Sequence, residues 1–160
     1  MADSPEGRSG ATGGSLQARL SSALTGALTV IEEPDGALTV SHDGIVASLR
    51  VVTIADGLEM VSLTQPLAWD LPLTAKVRER VAGHASSTLL GTVALVEKQV
   101  PTSTNGASGT AATRTSSAKK VADVMLRYNF PAAGLTEDAL RTLILMVLAA
   151  GADVRRALLS

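Results

Sequence analysis

Residues 27–65 read ALTVIEEPDGALTVSHDGIVASLRVVTIADGLEMVSLTQ, and this stretch decides the fold. Three Asp-Gly pairs punctuate it: Asp35-Gly36, Asp43-Gly44 and Asp56-Gly57. Asp and Gly tolerate the positive φ of tight hairpin turns, so each pair between β-type runs predicts a chain reversal. The runs between them predict strands over Ala27–Glu32, Ala37–Ser41, Ile45–Ile54 and Leu58–Gln65. In the third run Ile45, Ala47, Leu49 and Val51 share one face, while Ser48 and Arg50 lie on the other. That alternation has the period of a half-buried strand. Four strands joined by three short turns make an antiparallel meander.

Working outward, LQARLSSALTG places Leu16, Leu20, Ala23 and Leu24 at helical spacing, with Gly26 able to end the helix. Downstream, Pro66 and Pro72 bracket Trp69 in what reads as an irregular passage. Thr74 is an N-cap candidate for a helix over TAKVRERVAGHASST, with Val77, Val81 and Ala85 as its buried stripe. Gly91–Glu97 predicts a short strand. In ADVMLRYNF, Val124, Leu126, Tyr128 and Phe130 point one way, and Asp123, Arg127 and Asn129 the other. Thr136 caps a last helix, with Glu137 and Asp138 in its positive first turn and Arg155 and Arg156 near its end. The fold class is therefore α+β, an antiparallel sheet backed by helices in the order α-β-β-β-β-α-β-β-α.

Residues 1–14 are Gly, Ser and charge, and predict a disordered tail. Residues 101–118, PTSTNGASGTAATRTSSA, are too small and polar to offset the entropy of ordering, and predict a flexible hairpin connection. The remainder, 15–160, reads as one domain.

Composition excludes several classes of function. A net charge of −1 without a basic run offers no phosphate-binding stripe, and Trp69, Tyr128 and Phe130 are the whole aromatic complement. Nucleic acid is not an expected partner. With no Cys there is no disulfide, thiolate metal site or cysteine nucleophile. No run approaches 18 apolar residues and the first residues lack a signal-peptide core, so no membrane partner and a cytoplasmic location are expected. Ten Arg against four Lys, with abundant Ala, Gly and Val, is the usage of a GC-rich bacterial genome.

Chemistry is sparse. His42 belongs to a turn and His84 to a helix, and neither has partners at metal-ligand or triad spacing. Asp35, Asp43 and Asp56 are explained by their turns. The chain carries no nucleophile elbow, P-loop or zinc-protease motif. No catalytic residue, metal or cofactor is expected. Three residues remain as a candidate partner or dimer surface: Trp69, Ile144 and Leu148. Trp69 reads either as a core anchor or as an exposed recognition residue. The run Leu143–Ala150 is apolar on every side, so a helix carrying it needs covering on two sides. If Leu140, Leu143, Met146, Val147 and Ala150 face the sheet, Ile144 and Leu148 turn outward and predict a homodimer seam.

The element order, the passage LTQPLAWDLPLTAKVRERVAGHASSTLLGTVALVE (63–97) and the segment ADVMLRYNFPAAGLTEDALRTLILMVLAAGADVRRAL (122–158) resemble the YbjN-like family. That family comprises bacterial sensory-transduction regulators with the fold of type III secretion chaperones. The long connection at 101–118 and the shortage of aromatics depart from its pattern. The resemblance implies no catalytic motif. It implies a protein-binding module, chaperone-like or a regulatory adaptor, acting on a protein client. The alternative expectation is a sensory domain that binds a small apolar ligand between sheet and helix.

Overall fold

The computed structural model describes residues 14–100 and 119–160. The expectations for the tail (but for Gly14) and for the 101–118 connection lie outside the described residues. Those residues form helix α1 (Leu16–Leu24), strands β1 (Thr29–Glu32), β2 (Leu38–His42), β3 (Ile45–Ala55) and β4 (Leu58–Pro72), helix α2 (Ala75–Ser87), strands β5 (Thr92–Val100) and β6 (Lys119–Pro131), and helix α3 (Glu137–Leu159). The strands make one antiparallel sheet in the order β1-β2-β3-β4-β6-β5. The α+β class and the element order are those expected.

Local chemistry accounts for the boundaries. Ser15, Thr74 and Thr136 cap the three helices by accepting the backbone N–H of Ala18, Val77 and Ala139. The β2–β3 turn puts Asp43 at φ 48° and Gly44 at φ 76°, the conformation for which Asp-Gly is suited. Asp35 accepts the N–H of Ala37 and pairs with Arg50 on the neighbouring strand.

Register sorts the side chains into two faces. Leu49 pairs with Leu63, Gln65 with Leu126, and Leu126 with Val93; all lie on the face that meets the helices. Arg50, Arg127 and Asn129 lie on the other face and are exposed. The core between sheet and helices is almost wholly aliphatic, and Phe130 is its one buried aromatic.

One element differs from the expected course. The passage around Trp69 is strand: β4 runs on through Pro66 to Pro72, with register shifts against β6 between Pro66 and Ala68 and between Ala68 and Leu71. Pairing of β3 with β4 ends at Ser48↔Thr64, so beyond that point β4 is paired only to β6. Proline is tolerated where one side of a strand is free, because its missing N–H leaves no ladder bond unmade.

The outward placing of Ile144 and Leu148 is corrected. Ile144 is 0 % exposed and Leu148 6 %. The buried stripe of α3 runs through Leu140, Ile144, Val147, Gly151, Val154 and Leu158, and Met146, expected to face the sheet, is half exposed. Two contacts explain the rotation. Gly151 lies against the buried Gln65 of β4, where an added Cβ would come 2.6 Å from Gln65 Cδ. Helix α1 packs along α3 and supplies the second cover, and Arg141 Nε donates to the Ala23 carbonyl at 2.7 Å. Arg19 and Arg80 form similar latches, donating to the carbonyls of Leu135 and Ala157. The Ala23 carbonyl, in the last turn of α1, is satisfied by Arg141, and the Ala157 carbonyl, in the last turn of α3, accepts from both Arg80 and the Ser160 hydroxyl.

A charge at Ile144 now tests the core rather than a seam. Ile144→Glu is expected to lower stability by more than about 3 kcal/mol, because it places an unpaired carboxylate among aliphatic side chains. Urea unfolding followed by circular dichroism reads the loss, and an unchanged midpoint would contradict the burial. Gly151→Ala gains about 1 kcal/mol of helix propensity but overpacks the Gln65 contact, which costs about 1–3 kcal/mol. Gln65 is buried and its amide donates to the Leu148 carbonyl, so displacing that end breaks the bond and a net loss is expected. In a Gln65→Ala background the same substitution should instead stabilise. This change of sign, measured by a urea double-mutant cycle, checks the contact.

Candidate functional site

Trp69 is 59 % exposed, although it sits in a strand whose neighbours Leu67 and Ala68 are buried. Two β4–β6 register shifts bracket this segment, and Asp70 takes the left-handed conformation at φ 54°. Bulges of this kind re-aim a side chain. Here the re-aimed residue is the chain's single Trp.

A polar cluster holds the bulge. The Asp70 N–H donates to Asp123 Oδ1 at 2.9 Å. Lys98 Nζ on β5 stands 2.9 Å from Asp123 Oδ1 and 2.6 Å from Asp70 Oδ1. The same ammonium lies 5.7 Å from the centroid of the Trp69 ring, within cation–π range. Asp123 is on the sheet face expected for it, yet it is only 7 % exposed, because the bulge and Lys98 cover it. Burial pushes its carboxyl up, but the Asp70 N–H and the Lys98 ammonium outweigh burial and hold it below the ordinary carboxylate value. Hydrogen bonds to Asp70 and Asp123 raise Lys98 above the ordinary lysine value.

Beside Trp69 lies a cleft of about 520 Å³. It opens where β3 and β4 cease to pair, and Val46, Leu67, Ala68, Trp69, Leu159 and Arg155 line it. Trp69, Leu159 and Val46 are exposed apolar side chains, and Arg155 Nη1 donates to the Gly44 carbonyl at 3.3 Å. The end of α3 thus reaches the β2–β3 turn and closes one side.

Of the three candidate surface residues, the structure presents Trp69 alone; Ile144 and Leu148 are core and are not brought near it as surface. Lys98, Asp70, Asp123, Arg155 and Leu159 were not legible as site residues, since they converge from β5, β4, β6 and α3. The one local signal is Trp-Asp between two prolines. His42 pairs with Asp43 at 3.1 Å on the surface, and His84 lies near the end of α2, where Thr88 caps onto its carbonyl. Among the described residues no three His, Cys, Asp or Glu side chains converge as metal ligands. Among them, too, no helix is long and apolar enough to cross a membrane.

The clamp has a defined pH window. Because the folded pKa of Asp123 is lowered, its contribution is full above the ordinary carboxylate value, about pH 4, and is lost as pH falls through the lowered value. Because that of Lys98 is raised, its contribution is full below about pH 10.4 and is lost as pH rises through the raised value. Trp69 emission is therefore expected to be flat from neutral pH to about 4 and to change below it. In Asp123→Asn the acid step should disappear and the neutral-pH emission should already be altered. An acid step identical to wild type would dissociate Trp69 from Asp123. Compared with known proteins, the chain matches no family model and no curated sequence.

Proposed function

We propose that this chain is a non-enzymatic protein-binding module, a chaperone-like or regulatory adaptor whose partner docks on Trp69. The observation that carries the reading is an exposed indole fixed in place by a buried carboxylate, a lysine and a left-handed aspartate. Trp is enriched among the residues that dominate binding energy, and a pre-positioned ring loses little entropy on docking. The resemblance to the YbjN-like family supports a bacterial protein client, and with it a cytoplasmic setting. A homodimer is the rival reading of the same surface: with Ile144 and Leu148 buried, a second copy would have Trp69 as its candidate contact and would compete with a client for it. The alternative of a small apolar ligand between sheet and helix has less to recommend it, because Leu63, Gln65, Leu126, Leu140 and Ile144 fill that layer and are fully buried.

Trp69→Ala is the discriminating variant. Its ring is largely in water, so stability is expected to fall by no more than about 1 kcal/mol, the scale of a surface change. Affinity purification from the native host, with wild type and variant side by side, should recover a stoichiometric protein with wild type alone. Equal recovery by both would remove Trp69 from the reading.

A further inference from the structure

We infer that the cleft between Trp69 and Arg155 takes a peptide segment in which a large apolar side chain lies next to a carboxylate. The inference rests on the reading of Trp69 as a partner surface and adds the chemistry of the partner. The apolar half follows from the lining. Leu67 and Ala68 floor the cleft, and the exposed side chains of Val46, Trp69 and Leu159 rise around it. A single aliphatic side chain entering there would be surrounded on several sides.

The acidic half follows from charge. Arg50, Arg78, Arg141 and Arg156 each have a carboxylate partner. Arg155, like Arg19, Arg80 and Arg127, has none among the described residues, and its one hydrogen bond there is to the Gly44 carbonyl. Of these arginines it is the one that lines the cleft, and among the described residues no other charged side chain lines it. A guanidinium offers several donors in a planar fork, so one bond to a carbonyl leaves most of them free for a carboxylate. The opposite end has the reverse balance: Lys98 stands between Asp70 and Asp123, which leaves an excess of one negative charge. A carboxylate is therefore repelled at the Trp69 end and attracted at the Arg155 end, which places the acid beside Arg155 and the apolar side chain beside Trp69.

Trp69 is the only Trp, so its emission reports occupancy without a label. The probes are two acetylated and amidated peptides, one alternating leucine with aspartate and one alternating leucine with lysine. The acidic peptide is expected to give a saturable shift and to bind about fivefold tighter, the scale of one exposed ion pair. The preference should shrink at high salt, vanish in Arg155→Gln and reverse in Arg155→Glu. Equal binding, a basic preference, or an acidic preference that persists in both Arg155 variants would overturn the inference. So would a saturable shift with neither peptide. A wild-type dimer in light scattering that is lost in Trp69→Ala would also overturn it, since a second copy would then fill the cleft. Failure of the peptides while a Trp69-dependent partner is still recovered removes only the acidic chemistry. Failure of both removes the docking surface as well.

Discussion

Gln65 is 1 % exposed in the middle of β4, and α3 crosses it at the one residue that has no side chain to collide with it. The amide donates from Nε2 to the Leu148 carbonyl at 3.3 Å, while Oε1 finds no partner among the described residues. A buried polar group with half its bonds missing is a cost, so the close approach at Gly151 is set by packing and not by the amide. That approach fixes the rotation of α3. Once Gly151 faces the sheet, the stripe spaced alternately four and three residues apart is carried inward, and Met146 is carried out. The rotation also brings Arg141 to the end of α1 and leaves Arg155 and Leu159 beside the β2–β3 turn. The far wall of the Trp69 cleft is thus a consequence of a contact made one helical turn earlier.

The second constraint is the early end of β3–β4 pairing. A strand with one free side can accept proline and bulges that a fully paired strand cannot. β4 uses this freedom over its last residues, where Pro66, the two register shifts and Asp70 all fall. The splaying that opens the cleft and the bulge that turns Trp69 outward have one origin. β6 remains paired to β4 throughout and supplies Asp123, so the irregular part of one strand is tied to a regular neighbour.

The parts legible in the sequence were those set by local chemistry. Asp-Gly turns, Thr caps and strict alternation act within a few residues, and they placed all nine described elements. The phase of α3 was not legible from apolar counting, because a run apolar on every side gives no preferred face. The useful signal was Gly151, an isolated glycine inside a helix that otherwise costs about 1 kcal/mol. Counting side chains passes over it, yet it lies in line with Ile144, Val147 and Val154. Trp69 was recognisable as a residue of interest, but not its exposure, which depends on Lys98 and Asp123 from other strands. The arginine latches were invisible for the same reason: a guanidinium seeking a backbone carbonyl leaves no complementary residue to find in the sequence.

Stability alone does not account for the cluster beneath Trp69. Asp123 is buried while Lys98 is partly exposed, and the desolvation of a buried charge offsets much of such a pair's attraction, so apolar residues of similar volume often do as well. In Asp123 burial opposes ionisation, and the Asp70 N–H and Lys98 are needed to reverse it. Asp70 also bears the strain of a left-handed conformation, which persists only where the surroundings enforce it. An aliphatic residue at 123 would fill the same space without either cost, but it could not accept the Asp70 N–H or hold Lys98 over the indole. What the cluster contributes beyond packing is position. It keeps one large aromatic ring fixed at the surface of a protein that has little other aromatic area to offer a partner.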